Sequence, residues 1–297
     1  MNGILNVLKP PGMTSFDVVS HLRGLLRTKK IGHTGTLDPH AVGVLPVCIG
    51  NATKAIEFLI EKDKLYRAEL TIGISTDTQD MSGQVIAVKD VNCTDKEITG
   101  TVRSFIGKYM QLPPMFSAKK VNGRKLYELA RKGMTVERNC CEIEIYSIEV
   151  IGIERLEHIK VLFDVNCSKG TYIRTLCADI GDRLGCGGHM SFLLRKKAGI
   201  FDLTSSVTLE EIKELVNEGK LQSRMMNTEN AFDNIWDIEI DEFQGKKFLN
   251  GVAVALEDCR IQNTGLIKVY SEGRRFLALG EITTAGEKLV LRSRKFF

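Results

Sequence analysis

Apolar residues recur along the chain with two periods, and the period separates strands from helices. Tyr66-Arg-Ala-Glu-Leu-Thr-Ile-Gly-Ile74 alternates apolar with polar residues, the pattern of a half-buried strand whose side chains point to opposite faces in turn. Tyr66 shares a face with Ala68, Leu70 and Ile72, so pattern alone makes it a core tyrosine. Ile143–Ile153 and Ile159–Cys167 read as the two strands of a hairpin, and Ile4–Leu8, Val44–Ile49, Gln84–Val88 and Gly187–Lys197 add further strands. Phe16, Val19, Leu22 and Leu26 recur at helical spacing behind Ser15, which is placed to cap the helix. Thr94-Asp-Lys-Glu97 is a capping box that opens a helix running to about Gly107. Other helices are expected over Lys54–Ile60, from Ser168–Thr175 through about Leu184, and over Thr208–Asn217. Beyond Trp236 the pattern changes to short strands punctuated by Gly. That change predicts a large domain over 1–236 and a small one over 237–297.

One stretch does not follow either period. Residues 32–54, GHTGTLDPHAVGVLPVCIGNATK, are crowded with Gly and Pro, which impose backbone shape rather than build a face. Asp38 stands directly before Pro39 and is pushed toward an extended conformation. Asp-Pro is also ordinary turn chemistry, so spacing alone gives this aspartate no special role.

Charge adds a second theme. The formal net charge is only +4, but it is unevenly placed. Residues 101–140 hold nine Lys/Arg against two Glu, residues 201–245 hold three against eleven acids, and residues 246–297 hold ten against five. Two basic blocks around an acidic one suit two separate contacts with a polyanion. Within the first block, Lys108, Lys119, Lys120, Arg124 and Lys125 are interleaved with Tyr109 and Phe116. Cations for phosphates beside rings for unpaired bases fit RNA. The eight cysteines include no C-x-x-C pair; Cys186-Gly-Gly-His189 has no partner of matching spacing, so reduced thiols and no metal are expected. Nothing in the chain reads as a membrane span or signal peptide, which points to a cytoplasmic protein.

GHTGTLDP followed by GVLPV and G-x-ATK resembles the signature loop of the TruB family of tRNA pseudouridine synthases, and KPPGMTS and CSKGTYIRT are similar to its flanking motifs. The resemblance covers essentially the whole chain. It implies an α/β (α+β) fold with a mixed, mainly antiparallel sheet flanked by helices, and a small C-terminal β-barrel of PUA type. It implies isomerisation of uridine to pseudouridine at position 55 of the tRNA T-loop, by base flipping and without a cofactor. It implies Asp38 as the catalytic carboxylate, Arg174 as its partner and Tyr66 stacked on the target base. Tyr172 and Leu194 would line the base pocket, and His33 would fill the vacated stack. Lys119, Lys120 and Arg124 fall in a segment similar to the RNA-contacting insertion. The implied partner is tRNA, met at its T stem-loop and acceptor stem by a monomer without guide RNA or membrane. Two other readings share these features. Guide-dependent synthases of the dyskerin type have the same loop, usually with Ser where this chain has Thr34. An RNA-folding chaperone with secondary catalysis would bind the same substrate.

Overall fold

The computed structural model describes residues 1–121, 123–256, 264–286 and 288–297. Strand β1 (Gly3–Lys9) turns through Pro10-Pro11-Gly12 into α1 (Ser15–Leu25), followed by β2 (Ile31–His33) and β3 (Val42–Ile49). A 3-10 turn and α2 (Ile56–Leu59) lead to β4 (Lys64–Ile72), then to the small hairpin of β5 (Ile74–Thr76) and β6 (Val85–Val88). Next come α3 (Asp95–Arg103) and β7 (Gly107–Gln111). The basic segment holds a short hairpin, β8 (Lys120–Val121) and β9 (Arg124–Lys125), and α4 (Leu126–Ala130). The long pair β10 (Cys141–Arg155) and β11 (Ile159–Cys167) precedes α5 (Ile173–Arg183) and β12 (Gly188–Ala198). The first sheet ends with β13 (Phe201–Asp202), α6 (Leu209–Asn217) and β14 (Met225–Met226).

Ten strands form the first sheet, with a spine ordered β14-β1-β3-β12-β4-β11-β10-β7, β2 beside β3 and β13 beside β12. All pairings are antiparallel except β12 with β3, so the sheet is mixed and mainly antiparallel, as expected. Strand β4 lies at the centre, and its alternation does what period two requires: Tyr66, Ala68, Leu70 and Ile72 are buried in a cluster with Leu37, Leu193, Ile173 and Leu176. A second cluster lies under α1 and α6, with Val18, Leu22, Leu45 and Ile212.

A second sheet begins at β15 (Asp237–Ile240), followed by α7 (Glu242–Leu249), β16 (Val254–Leu256), β17 (Gly265–Ser271), β18 (Arg275–Ala285) and β19 (Lys288–Phe296). Its order is β15-β17-β18-β19-β16. Its end strands do not pair with each other among the described residues, so it is a half-barrel rather than a closed one. Leu279 and Phe276 of this sheet, with Phe297 just past its last strand, pack with Ala52, Phe58 and Phe232 of the first unit.

Local chemistry departs from expectation in four places. Thr14, not Ser15, caps α1, in a capping box with Asp17. The buried stripe of α1 is Ser15, Val18, Val19 and Leu22, which leaves Phe16 61% exposed. The helix from the Thr94 box stops at Arg103, because Gly107 enters β7 at φ +109°. Residues 50–60 split into a 3-10 turn and the single turn of α2. Cys259 lies outside the described residues.

Candidate active site

Asp38 sits between β2 and β3 on a loop tied down from several sides. Asp38-Pro39-His40-Ala41 is a turn closed by Ala41 N–H donating to Asp38 C=O at 3.1 Å, with Pro supplying the fixed φ of its second position. Ser15 Oγ accepts from Leu37 N–H at 2.8 Å and donates to Leu37 C=O at 3.3 Å. Gly12 N–H donates to Pro39 C=O at 2.9 Å. The buried Lys9 ammonium donates to the carbonyls of Pro10 (2.8 Å), Met13 (2.5 Å) and Pro39 (3.1 Å). Burial brings the Lys9 pKa down to about 8, against an opposing pull from Asp38. KPPGMTS is therefore a cradle for the aspartate loop.

From the other side, Arg195 of β12 is 1% exposed and donates to Val44 C=O at 2.7 Å and to Gly35 C=O at 3.1 Å. Gly43, at φ +115°, lets the backbones meet: a Cβ there would stand 2.3 Å from Arg195 O.

Helix α5 brings Arg174 to this loop. Its Nη2 lies 3.1 Å from Asp38 Oδ1, and its Nη1 lies 3.5 Å from Asp80 Oδ2. The Arg174 side chain is 7% exposed and that of Asp38 is 30% exposed. Burial pushes the Asp38 carboxyl above the usual range; Arg174 pulls it back, Asp80 pushes it up again, and Lys9 and His40 pull it down. Asp80 was not legible in the sequence, where STDTQDMSG is only a polar loop. In the structure it is buried, and Oδ1 accepts from Thr78 Oγ1 (2.8 Å), Ser82 N–H (2.9 Å) and Ser82 Oγ (2.5 Å). One guanidinium thus serves two carboxylates, one through each terminal nitrogen.

The other expected residues divide into groups. Tyr66 is on the site face of β4, paired in register with Arg195, whose guanidinium lies beside its hydroxyl. Burial raises the Tyr66 pKa, so the phenol keeps its proton. Tyr172 is the N-cap residue of α5, two residues before Arg174. His33 ends β2 and its Nδ1 accepts from Gly35 N–H at 3.3 Å, leaving the proton on Nε2. Burial, aided by Arg195, lowers the His33 pKa and keeps the ring neutral.

Leu194 is not brought to this group. It pairs with Arg67, on the face opposite Tyr66; its neighbour Leu193 pairs with Ala68 and lies in the same apolar cluster as Tyr66 and Leu37. The period of two decides the matter, because adjacent strand residues face opposite ways. Lys119, Lys120 and Arg124 are set apart on the basic segment, and none contacts Asp38 or Arg174 among the described residues. Also among the described residues, no group of His, Cys, Asp and Glu is arranged to hold a metal ion, and no helix is long and apolar enough to cross a membrane.

Residues 23–173 match the model of the TruB family pseudouridylate synthase N-terminal domain. Residues 174–233 match the tRNA pseudouridylate synthase B C-terminal domain, and residues 237–292 match the pseudouridine synthase II TruB C-terminal model. The chain is 58% identical over 217 residues to tRNA pseudouridine synthase B of Alkaliphilus oremlandii, covering 73% of this chain and 72% of that protein. It is 46% identical to that of Caldanaerobacter subterraneus subsp. tengcongensis over 97% of both. Among solved structures, a Cbf5–Nop10–Gar1 complex contains a chain that is 26% identical with a TM-score of 0.75, covering 99% of this chain and 84% of that one. An H/ACA ribonucleoprotein bound to a substrate RNA containing 2'-deoxyuridine gives 25% and 0.74 over the same shares.

Proposed function

This chain belongs to the TruB family of pseudouridylate synthases, and from that membership we propose that it converts uridine 55 in the T-loop of tRNA to pseudouridine. It is an isomerase of tRNA uridine. The reaction breaks N1–C1′, turns the uracil over and forms C5–C1′, while the C5 proton is lost and N1 gains one. Nothing is gained or lost overall, so the chemistry calls for no cofactor. It does call for a carboxylate beside the ribose, attacking C1′ or removing the C2′ proton.

The observation that carries the reading is the Asp38–Arg174 pair: a carboxylate with 30% of its surface open, held at 3.1 Å by an arginine that is itself enclosed. Arg174 orients the carboxylate and favours its ionised form. The uridine leaves its stack to reach Asp38, at a cost of a few kcal/mol. Tyr66 supplies the apolar face for the flipped base. Leu193, on the same side, is better placed for this than Leu194. His33, neutral and on the loop's edge, suits the vacated stack. The basic segment and the second sheet hold the RNA backbone, as a 1–236 catalytic unit and a 237–297 RNA-binding unit acting on one tRNA in the cytoplasm. The protein acts as a monomer.

A T stem-loop transcript labelled with tritium at uridine C5 tests this. The wild-type protein alone, with no guide RNA, is expected to release tritium from position 55 only. Asp38→Asn is expected to release none while still binding the RNA. Normal release by Asp38→Asn would refute the assignment. Release only when a guide RNA is added would move the protein to the guide-dependent class, whose complexes are its structural neighbours.

A further inference from the structure

We propose that Gln111 is a positioning residue for the reaction: it fastens the start of α5, and with it Arg174, to the root of the basic segment, so that RNA held by that segment sets the Arg174–Asp38 pair. The inference rests on the roles given above to Asp38 and Arg174.

Helix α5 starts without a cap of its own. Tyr172 occupies the N-cap position, and its side chain bonds none of the first-turn N–H groups, which need partners. Gln111, on β7, instead holds the N-cap residue itself from outside the helix. Its Oε1 accepts from Tyr172 N–H at 2.8 Å, and its Nε2 donates to Tyr172 C=O at 3.1 Å and to the Tyr109 hydroxyl at 2.7 Å. The residue is 1% exposed, so water does not compete for these bonds. Both backbone groups of the residue two positions before Arg174 are therefore set by one side chain. Tyr109 adds a second tie, since Asp179 of the same helix lies against its hydroxyl.

Gln111 also marks where the basic segment leaves the sheet. It is the last residue of β7 and pairs with Cys141, the first of β10, so residues 112–140 leave and return at one register pair. The segment binds back on this root: Arg138 Nη1 donates to Pro113 C=O at 2.8 Å, and Lys119 Nζ lies 2.7 Å from Cys141 Sγ. Phosphates drawn to Lys119, Lys120 and Arg124 therefore load the strand end from which Gln111 grips Tyr172.

Two substitutions in the full-length protein test the inference. Gln111→Met keeps the length and removes every hydrogen bond. Gln111→Glu keeps the acceptor for Tyr172 N–H and loses the donor to Tyr172 C=O. Single-turnover rate on T stem-loop RNA, RNA affinity, melting temperature and the rate as a function of pH are measured for both. Displacing a reacting group by about 1 Å costs roughly 10²-fold, so Gln111→Met is expected to slow the chemical step by up to about that factor with RNA affinity kept. Its acid limb should also move to higher pH, because a misplaced Arg174 no longer draws down the Asp38 carboxyl while Asp80, Lys9 and His40 still face it. Gln111→Glu should fall between wild type and Gln111→Met. A wild-type rate in either variant overturns the inference, and so does a slower rate with an unmoved acid limb, which marks a structural role alone. Should Gln111→Met fail to fold, Gln111→Glu decides by the same two readings. Asp38→Asn, run alongside, separates the layers. If it is active, the underlying assignment fails. If it is inactive and Gln111→Met behaves as wild type, only the positioning role fails.

Discussion

Arg174 faces two carboxylates, Asp38 at 3.1 Å and Asp80 at 3.5 Å, and this sharing governs what single substitutions do. Replacing Arg174 with Met leaves two carboxylates near each other without their common cation. Breaking a buried pair from one side costs about 3–5 kcal/mol, and the lower end applies because Asp38 keeps a solvated edge; a urea titration would read it. Asp38→Asn is different. Arg174 retains Asp80, and a carboxyl whose pKa is raised by burial costs stability when ionised. That variant should melt no lower than wild type while losing turnover. The same raised pKa fixes a pH dependence. The unfolded carboxyl gives up its proton at lower pH than the folded one, so between the two values the folded state binds more protons, and this group's contribution to stability rises as pH falls. On the role proposed for Asp38, turnover needs the carboxylate and falls as pH is lowered through that window. A profile of kcat/KM against pH should therefore lose activity on acidification, with an acid limb displaced above the pKa of a free aspartate. A limb at or below the free value would contradict the burial described for Asp38.

At the scale of elements, the alternation of Tyr66–Ile74 placed β4 and gave its buried face over Tyr66–Ile72, because a central strand with one side in the core has no other way to satisfy both faces; the strand breaks at Gly73, φ +91°, and Ile74 starts β5. The capping box at Thr94 and the helix over Thr208–Asn217 were equally legible, being local. What escaped was non-local. Strand β2 has three residues and exists only because β3 pairs with it. Asp80 becomes significant only when α5 carries Arg174 to its loop. Leu194 falls by parity on the face opposite Tyr66, since naming a motif leucine without fixing the strand's register leaves its face undetermined. Parity now yields a paired prediction. Leu193→Ala should cost about 2–5 kcal/mol of stability, as buried leucines do, and should lower kcat through loss of the surface beside Tyr66. Leu194→Ala, beside Arg67 on the other face, should leave kcat unchanged. Equal kcat values for the two variants would undo the argument from register.

At the scale of the whole molecule, the second sheet is joined to the first unit rather than appended to it. Lys54 Nζ donates to Phe296 C=O at 2.9 Å, and Lys295 pairs with Glu57 at 2.5 Å. The Phe276 and Phe297 rings stack at 5.4 Å, and both lie in the cluster that contains Phe58 and Phe232. Cutting the chain at residue 237 would uncover that apolar face, so lost RNA binding in a truncated protein would mix two effects. Charge removal at the surface separates them. Lys247, which lies 4.2 Å above the Phe243 ring, and Arg275 are both exposed on the second unit. If they contact phosphates, each substitution to Ala should weaken tRNA binding and reduce the slope of log affinity against log salt by roughly one unit. The melting temperature should stay near wild type, because neither side chain belongs to the core. Turnover at saturating tRNA should also stay near wild type, since holding the backbone is separate from the step proposed at Asp38. Unchanged slopes in the double variant would confine tRNA contact to the first unit and leave residues 237–297 with a structural role.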